Sequence, residues 1–275
     1  MNYYCLIAGL PEIEIEANKL VFSIAGFKEE VRPQLSADDA RLFDLFYVKF
    51  DNQNLLRYLK DKEVTFDERG NISRDELEES LRLISESEEP KNKYFLSYFK
   101  TFVEEYTDAQ NIHTESAKWE NRLTELYYQW AMKCDNQLIA SWFEFNLNLN
   151  NILSAYTSRK YQMAVETVGD NEVAESLKTS SQRDFGLTGT IDDLDTFQRI
   201  ADEPDLFERE KRIDLLKWQW LDEQTFFKYF SIDRVFAYLI KLEIIERWVS
   251  LDPVEGEKIF RELIDNLKDS VVNKK

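Results

Sequence analysis

Apolar residues recur at steps of three and four along most of the chain, which is the spacing of helices that bury one face. The first clear run includes Leu42, Phe46 and Leu59, and it begins after Ser36, whose hydroxyl can cap a first helical turn. A second helix start is predicted at the Ser73-Arg-Asp-Glu76 capping box, in which the serine and the glutamate each satisfy a backbone donor. The pattern therefore predicts helices in this part of the chain.

The same periodicity continues to the end of the sequence. Long helices are predicted over about 114–133 and 139–161, and an aromatic-rich helix is predicted over 213–229. Ser231 can cap one more helix, which covers 235–249. Every coherent apolar pattern in the chain therefore indicates a helix.

Two stretches interrupt the periodicity. Residues 85–93 are acidic and lack an apolar period, so they predict a solvated linker. Residues 179–191 are rich in Ser, Thr and Gly and predict a hinge or an exposed contact loop. Near the end of the chain, Asp252-Pro253 predicts a cap followed by proline at the first helical position.

Composition agrees with a helical fold. Seven Gly and five Pro among 275 residues are too few for the many tight turns of a β-sandwich, a β-barrel or a parallel α/β fold. Hydrophobic residues make up 43% of the chain, and 19 Phe, 13 Tyr and 6 Trp provide large apolar area for a core. The expected fold class is all-α, in a single chain from residue 1 to residue 275.

The charge of the chain limits the classes of partner that it can bind. A formal net charge of −18 disfavours binding to nucleic acid, because phosphate backbones are also negative. No apolar run approaches the roughly 20 residues of a membrane span, and the first residues lack the basic region of a signal peptide. We therefore expect a cytoplasmic protein in which Cys5 and Cys134 are reduced packing thiols.

Little in the sequence indicates catalysis. A single His, His113, and two Cys cannot build a Cys/His zinc site or the usual histidine-centred general base. The acidic run Asp192, Asp193 and Asp195 could hold Mg²⁺, although a helix start would attract the same residues for electrostatic reasons. We therefore expect neither a catalytic residue nor a bound cofactor or metal.

A calcium loop is also considered around Gly70. When Gly70 and Glu76 take the sixth and twelfth positions of such a loop, Arg69 falls on the fifth, where an oxygen ligand is needed. Its positive charge would repel the ion. A turn followed by the capping box is the favoured interpretation.

The chain contains an internal similarity. Three apolar half-helices each lead into two polar residues that lie three positions apart and so face the same way. These structural repeat positions are Asp51 and Asn54, Asn148 and Asn151, and Glu243 and Glu246. Their spacing, close to a third of the chain, predicts three helical units centred near 36–62, 138–161 and 231–250. We expect the polar pairs to form internal hydrogen bonds that fix how neighbouring segments pack.

The sequence at these positions resembles the C subunit of V-type and A-type rotary ATPases, which is called the d subunit in eukaryotic enzymes. More closely, the chain resembles an uncharacterised bacterial family that is encoded in V-type ATPase operons without a recognisable C subunit. The opening of the chain, Tyr3 to Ala8, is similar to the start of the C-subunit family. The matching internal segments are Phe50-Asp51-Asn52-Gln53-Asn54-Leu55-Leu56, Asn148-Leu149-Asn150-Asn151-Ile152-Leu153 and Tyr238-Leu239-Ile240-Lys241-Leu242-Glu243.

The resemblance implies a mechanical function. The C subunit is a funnel-shaped, all-helical adaptor that sits on the cytoplasmic end of the membrane rotor ring and receives the foot of the central stalk. The implied partners are the proteolipid subunits of the ring and the subunits of the central stalk, on the cytoplasmic side of the inner membrane. Two alternatives stay open, a helical scaffold unrelated to ATPases and a carboxylate metal enzyme.

Trp218 and Trp220 are possible partner contacts. They lie two positions apart in a predicted helix and so cannot both face inward. We expect one of them to be exposed and to contact a partner, because exposed aromatic residues are enriched among interface anchors.

Overall fold

The computed structural model describes residues 3–16, 19–86, 88–109 and 116–251, and within them the only β-type pairing is an isolated bridge between Thr188 and Ile191. The rest is helices, turns and loops, so the predicted all-α class is confirmed. A short 3-10 helix covers Arg32–Gln34. The α-helices are α1 (Tyr4–Ala8), α2 (Ile24–Val31), α3 (Ala37–Asp44), α4 (Val48–Lys60), α5 (Arg74–Ser85), α6 (Ser97–Ala109), α7 (Ser116–Ala131), α8 (Gln137–Lys160), α9 (Glu172–Thr179), α10 (Leu194–Asp202), α11 (Leu206–Thr225) and α12 (Ile232–Ser250).

The chain divides into two compact units, a division that the sequence pattern does not reveal. Among the described residues, unit 1 consists of those in 1–34 and 221–251, and unit 2 consists of those in 35–220. His113 and the predicted cap at Asp252-Pro253 lie outside the described residues.

Several predicted helix starts have their capping hydrogen bonds. The Ser36 side chain accepts from the Asp39 N–H at the start of α3. At α5 the Ser73 hydroxyl accepts from the Glu76 N–H while the Glu76 carboxylate accepts from the Ser73 N–H, so the predicted capping box is present. These caps are local in sequence, which is why the sequence could predict them.

Other predicted boundaries differ from the structure. The run predicted to begin after Ser36 is broken by a turn at 45–47, which separates α3 from α4. The aromatic-rich helix predicted over 213–229 begins earlier and ends at Thr225, so the aromatic residues after it lie in a turn. Ser231 precedes α12, but its side chain accepts no capping hydrogen bond; its hydroxyl donates to the Asp233 carboxylate at 2.8 Å.

In unit 2, α8 is the central helix. It packs against α7, α9 and α10, and buried residues lie on more than one of its faces. Its second half packs into an apolar cluster with residues from the following helices, including Leu177, Phe197 and Leu216. A helix that is buried on several sides is a rigid support for the polar residues it carries.

In unit 1, the central helix is α12. It packs against α2, and the ring of Phe27 stacks on Tyr238 with the centroids 5.3 Å apart. The Tyr238 hydroxyl also donates to the Pro11 carbonyl at 3.0 Å. The first residues of the chain are therefore attached to its last described helix.

The loop predicted over 179–191 is held by Arg159 at the end of α8. The guanidinium donates to the carbonyls of Gln182 at 2.6 Å and Ser180 at 3.0 Å. It also lies 3.6 Å from the ring centroid of Phe185, which is buried. The loop is thus anchored at several points, in contrast to the hinge that its composition suggests.

Candidate interaction surfaces

The first polar pair, on α4, binds the loop that leads into α5. The Asn54 amide pairs with both backbone groups of Asp67, accepting from its N–H at 2.8 Å and donating to its carbonyl at 2.9 Å. The Asp51 carboxylate accepts from the N–H groups of Asn71 at 2.6 Å and Ile72 at 3.0 Å, and from the Asn71 side chain at 3.0 Å. Both side chains on α4 are buried, so these bonds are shielded from water.

The second polar pair, on α8, binds the loop that leads into α9. The Asn151 amide accepts from the Val168 N–H and donates to the Val168 carbonyl, each at 2.9 Å. The Asn148 side chain accepts from the amide of Asn171 at 2.9 Å, and Asn171 in turn caps α9. In both loops, an asparagine therefore mimics a backbone strand by pairing with the N–H and the carbonyl of one residue.

The third pair, on α12, has a different partner. The Glu246 carboxylate accepts from the Ile24 N–H at 2.7 Å, at the first residue of α2. A carboxylate suits this position because the N-terminal end of a helix presents unpaired donors and positive potential. Glu243 is half-buried on the same helix.

The predicted internal hydrogen bonds are therefore present at Asp51, Asn54, Asn148, Asn151 and Glu246. In the first two cases the partner is a loop that follows the helix, whereas Glu246 reaches a residue near the start of the chain. The relation among three whole units remains a prediction.

Exposed aromatic side chains cluster in the turn between α11 and α12. Phe226 and Phe227 are 62% and 80% exposed, and Tyr229 is 59% exposed. Phe230 and Tyr4 complete this surface, which we call the aromatic turn. Exposed apolar groups that lie together indicate an interaction site more strongly than the same groups scattered singly.

The aromatic turn is fixed by hydrogen bonds and ring contacts within unit 1. The Tyr3 N–H donates to the Phe230 carbonyl at 2.8 Å, and the Lys228 N–H donates to the Thr225 carbonyl at 2.9 Å. The rings of Tyr4 and Phe230 pack with their centroids 4.2 Å apart. The turn is therefore preorganised, which lowers the entropic cost of binding.

A second exposed apolar surface lies on the part of α11 that belongs to unit 2. Phe207, Leu215 and Trp218 follow one another at steps of eight and three, which places them on one face of the helix. Phe207 and Leu215 are exposed, and Trp218 is half-buried. We call these three residues the α11 face.

Neither of the two predicted contact tryptophans is fully exposed. Trp220 stacks on Phe145, with ring centroids 5.0 Å apart and planes 12° apart, and its ring lies 5.6 Å from that of Trp142. Trp220 is therefore a packing residue of unit 2. Trp218 remains a candidate contact as part of the α11 face.

Helical periodicity does not reveal the aromatic turn, because the predicted helix extends to residue 229 and so includes most of the residues of the turn.

The described residues contain few side chains arranged for metal binding or catalysis. No cluster of three His, Cys, Asp or Glu side chains there could hold a metal ion. Asp193 and Asp195 lie at the start of α10, as the helix-start interpretation predicts. Burial raises the pKa of the Cys134 thiol, which disfavours a reactive thiolate.

Across the same parts of the chain, no helix combines the length and the apolar character that crossing a bilayer requires.

The groups of the candidate calcium loop make hydrogen bonds within the protein. Its Asp67 carboxylate binds Arg69, and its backbone groups bind the side chains of α4. The segment is therefore a turn followed by a capping box.

Similarity to known proteins places the chain in a family. The model of the family described as "Protein of unknown function (DUF2764)" matches residues 1–271, so the chain belongs to the DUF2764 family. Neither the curated proteins nor the solved structures include a significant match.

Proposed function

We propose that this protein is a non-catalytic adaptor subunit of a bacterial V-type ATPase, where it connects the membrane rotor ring to the central stalk for ion transport. The observation that carries the proposal is the presence of two exposed apolar surfaces on two compact units, the aromatic turn on unit 1 and the α11 face on unit 2. An adaptor between a membrane ring and a stalk needs one contact on the membrane side and one on the stalk side, and large apolar side chains are common anchors of such contacts.

The buried polar pairs support the same proposal. A protein that passes torque must hold its loops and helices in fixed positions under load. The hydrogen bonds from α4 and α8 attach two loops to buried helices at distances of 2.6–3.0 Å. The resemblance to the C subunit supplies the identity of the partners, which are the proteolipid ring and the stalk subunits at the cytoplasmic face of the inner membrane.

The test is capture of partners from the host. The full chain carrying an affinity tag is expressed in its host, the membranes are solubilised in detergent, and the bound proteins are identified by mass spectrometry. We expect recovery of the ring and stalk proteins of the V-type ATPase. Recovery of none of them rejects the proposal and leaves the helical scaffold as the better description.

A surface variant sharpens the test. Phe207→Ser with Leu215→Ser removes two exposed residues of the α11 face, and we expect it to lower the recovery of stalk subunits at least five-fold. The matched control is Gln219→Ser, an exposed polar position on the same helix. Equal recovery with all three proteins would exclude the α11 face from the contact.

A further inference from the structure

We propose that the aromatic turn is a membrane-surface contact that enters the headgroup layer of a phospholipid bilayer. The inference goes beyond the adaptor function and does not depend on it, since it follows from the chemistry of unit 1. It assigns a ligand class, phospholipid, to a surface that sequence periodicity placed in a helix.

The side chains of the turn have the composition that bilayer interfaces favour. Phe226 and Phe227 are adjacent, highly exposed and packed edge to face, with centroids 4.8 Å apart. Tyr4 and Tyr229 each combine an apolar ring with a hydroxyl, and such amphipathic rings concentrate at the boundary between lipid tails and water. The turn therefore offers apolar rings for the acyl boundary and hydroxyls for the headgroups.

The single charged residue of the turn has the sign that phosphate favours. Lys228 is half-exposed, and its ammonium lies 3.8 Å from the Asp233 carboxylate, which is buried at the start of α12. A lysine on a flexible stem can keep its ammonium among lipid phosphates while its methylene groups lie along the rings. Within residues 226–230 no acidic side chain opposes this contact.

The distribution of charge between the units favours unit 1 as the part that approaches a membrane. The described residues of 35–220 contain 36 acidic and 23 basic residues, a net charge of −13, whereas those of unit 1 contain 10 and 7, a net charge of −3. Phospholipid surfaces in cells are neutral or negative. Unit 2 is therefore repelled more strongly than the unit that carries the aromatic turn.

The area of the turn argues against a stable protein dimer. Its five aromatic side chains expose about 600 Å², taking roughly 200 Å² for a whole aromatic side chain. A stable interface between two proteins needs roughly 800 Å² from each partner. Insertion into a bilayer has no such threshold, because the binding strength increases with each apolar group that is buried.

Vesicle sedimentation with the purified full chain tests the inference. We expect wild-type protein to bind neutral phosphatidylcholine vesicles, and Phe226→Ser with Phe227→Ser to lower the bound fraction at least five-fold. The matched control is Tyr161→Ser with Met163→Ser, two exposed apolar residues of unit 2 that lie in neither the aromatic turn nor the α11 face, which should bind as the wild type does. Circular dichroism and thermal unfolding check that both variants are folded.

The lipid composition provides a second readout. Adding phosphatidylglycerol should weaken the binding of a chain with a net charge of −18, and added salt should restore it, because salt screens the repulsion. A basic lipid-binding protein would behave in the opposite way.

Two results would overturn the inference, failure of the wild type to bind neutral vesicles and equal losses in the two double variants. If the wild type does not bind vesicles while Phe226→Ser with Phe227→Ser loses captured proteins, the turn is a protein contact instead. Vesicle binding without recovery of ATPase proteins would support the inference while rejecting the adaptor function, so the two failures are distinguishable.

Discussion

The two loops of unit 2 that are held by polar pairs show what each residue type contributes. In both loops an asparagine three positions after the first polar residue pairs with the N–H and the carbonyl of one loop residue, Asp67 in one case and Val168 in the other. An amide carries a donor and an acceptor in one plane, which is what a backbone pairing requires. A carboxylate in the same place could not donate to the carbonyl.

The first members of the pairs differ. Asp51 faces three donors, whereas Asn148 accepts from the side chain of Asn171. An ionised carboxylate only accepts, so it suits a position surrounded by donors. The asparagine therefore sets the position of the loop, while the residue before it is adapted to the donors that each loop presents.

The largest expected effect comes from removing the carboxylate. Asp51→Ala leaves three donors without their acceptor, including the buried Ile72 N–H, and should lower the free energy of unfolding by about 3–4 kcal/mol. Asn148→Ala removes the hydrogen bond from Asn171 and should cost about 1 kcal/mol. Urea unfolding followed by circular dichroism measures both, and equal losses would contradict this difference between the two loops.

Asn54 and Asn151 should contribute equally to the free energy of unfolding. Asn54→Leu and Asn151→Leu each remove two hydrogen bonds and leave a loop N–H and carbonyl without these partners, which should cost about 2–3 kcal/mol. We expect this loss of stability to appear before any loss of partner binding. The controls Gln53→Leu and Asn150→Leu alter exposed neighbours and should change stability by less than about 0.5 kcal/mol. A melting temperature that is unchanged while binding is lost would mean that the asparagines serve a partner instead.

The glycines of the two loops should differ in mechanism. A Cβ atom at Gly70 would lie 2.5 Å from the Asp51 carboxylate oxygen, whereas Gly169 has a φ of +80° and a Cβ there would meet only a Leu147 methyl group at 4.0 Å. Gly70→Ala should cost about 1–2 kcal/mol by overpacking, and Gly169→Ala about 1 kcal/mol by backbone strain. In a double-mutant cycle, Asp51→Ala should relieve much of the Gly70→Ala cost, while Asn148→Ala should leave the Gly169→Ala cost unchanged. Purely additive effects at Gly70 would show that the steric explanation is incorrect.

The smallest expected effect is specific to the first loop. The hydrogen bond from the Arg69 guanidinium lowers the pKa of Asp67 from its ordinary value. Because the folded-state pKa is depressed, the stabilisation is present above the pKa of the unfolded chain and disappears as the pH falls through the folded-state pKa. Asp67→Asn should therefore lower stability by less than about 1 kcal/mol at neutral pH and have no effect in strong acid. Unfolding curves across this pH range test the sign, and a constant difference would exclude the ion pair as its cause.

Much of this architecture could be predicted from local patterns. The capping box at Ser73 and the cap at Ser36 involve residues three positions apart, so the sequence contains both partners. The polar pairs were recognisable by their spacing and by the apolar residues before them. Their partners in the loops, 13 to 23 residues away, were not, because no periodicity specifies which group of a loop a polar side chain will meet.

The exposed apolar surfaces were harder to predict from the sequence than the helices were. Helical spacing continues past Thr225, yet α11 ends there and exposes the aromatic residues that follow. Trp220, in contrast, was a candidate contact but stacks on Phe145. Aromatic residues serve cores and surfaces alike, so composition alone does not separate the two.

The scarcity of glycine and proline, the three-and-four spacing of apolar residues and the short-range caps are sufficient to establish a helical protein with buried polar pairs. These features act between residues close in the chain, where backbone geometry limits the possible contacts. Packing between distant segments decided the rest: Glu246 binds Ile24 across 222 positions, and the described residues of 1–34 and 221–251 form one compact unit. Contacts at such separations depend on the complete arrangement of the core, which no local pattern encodes.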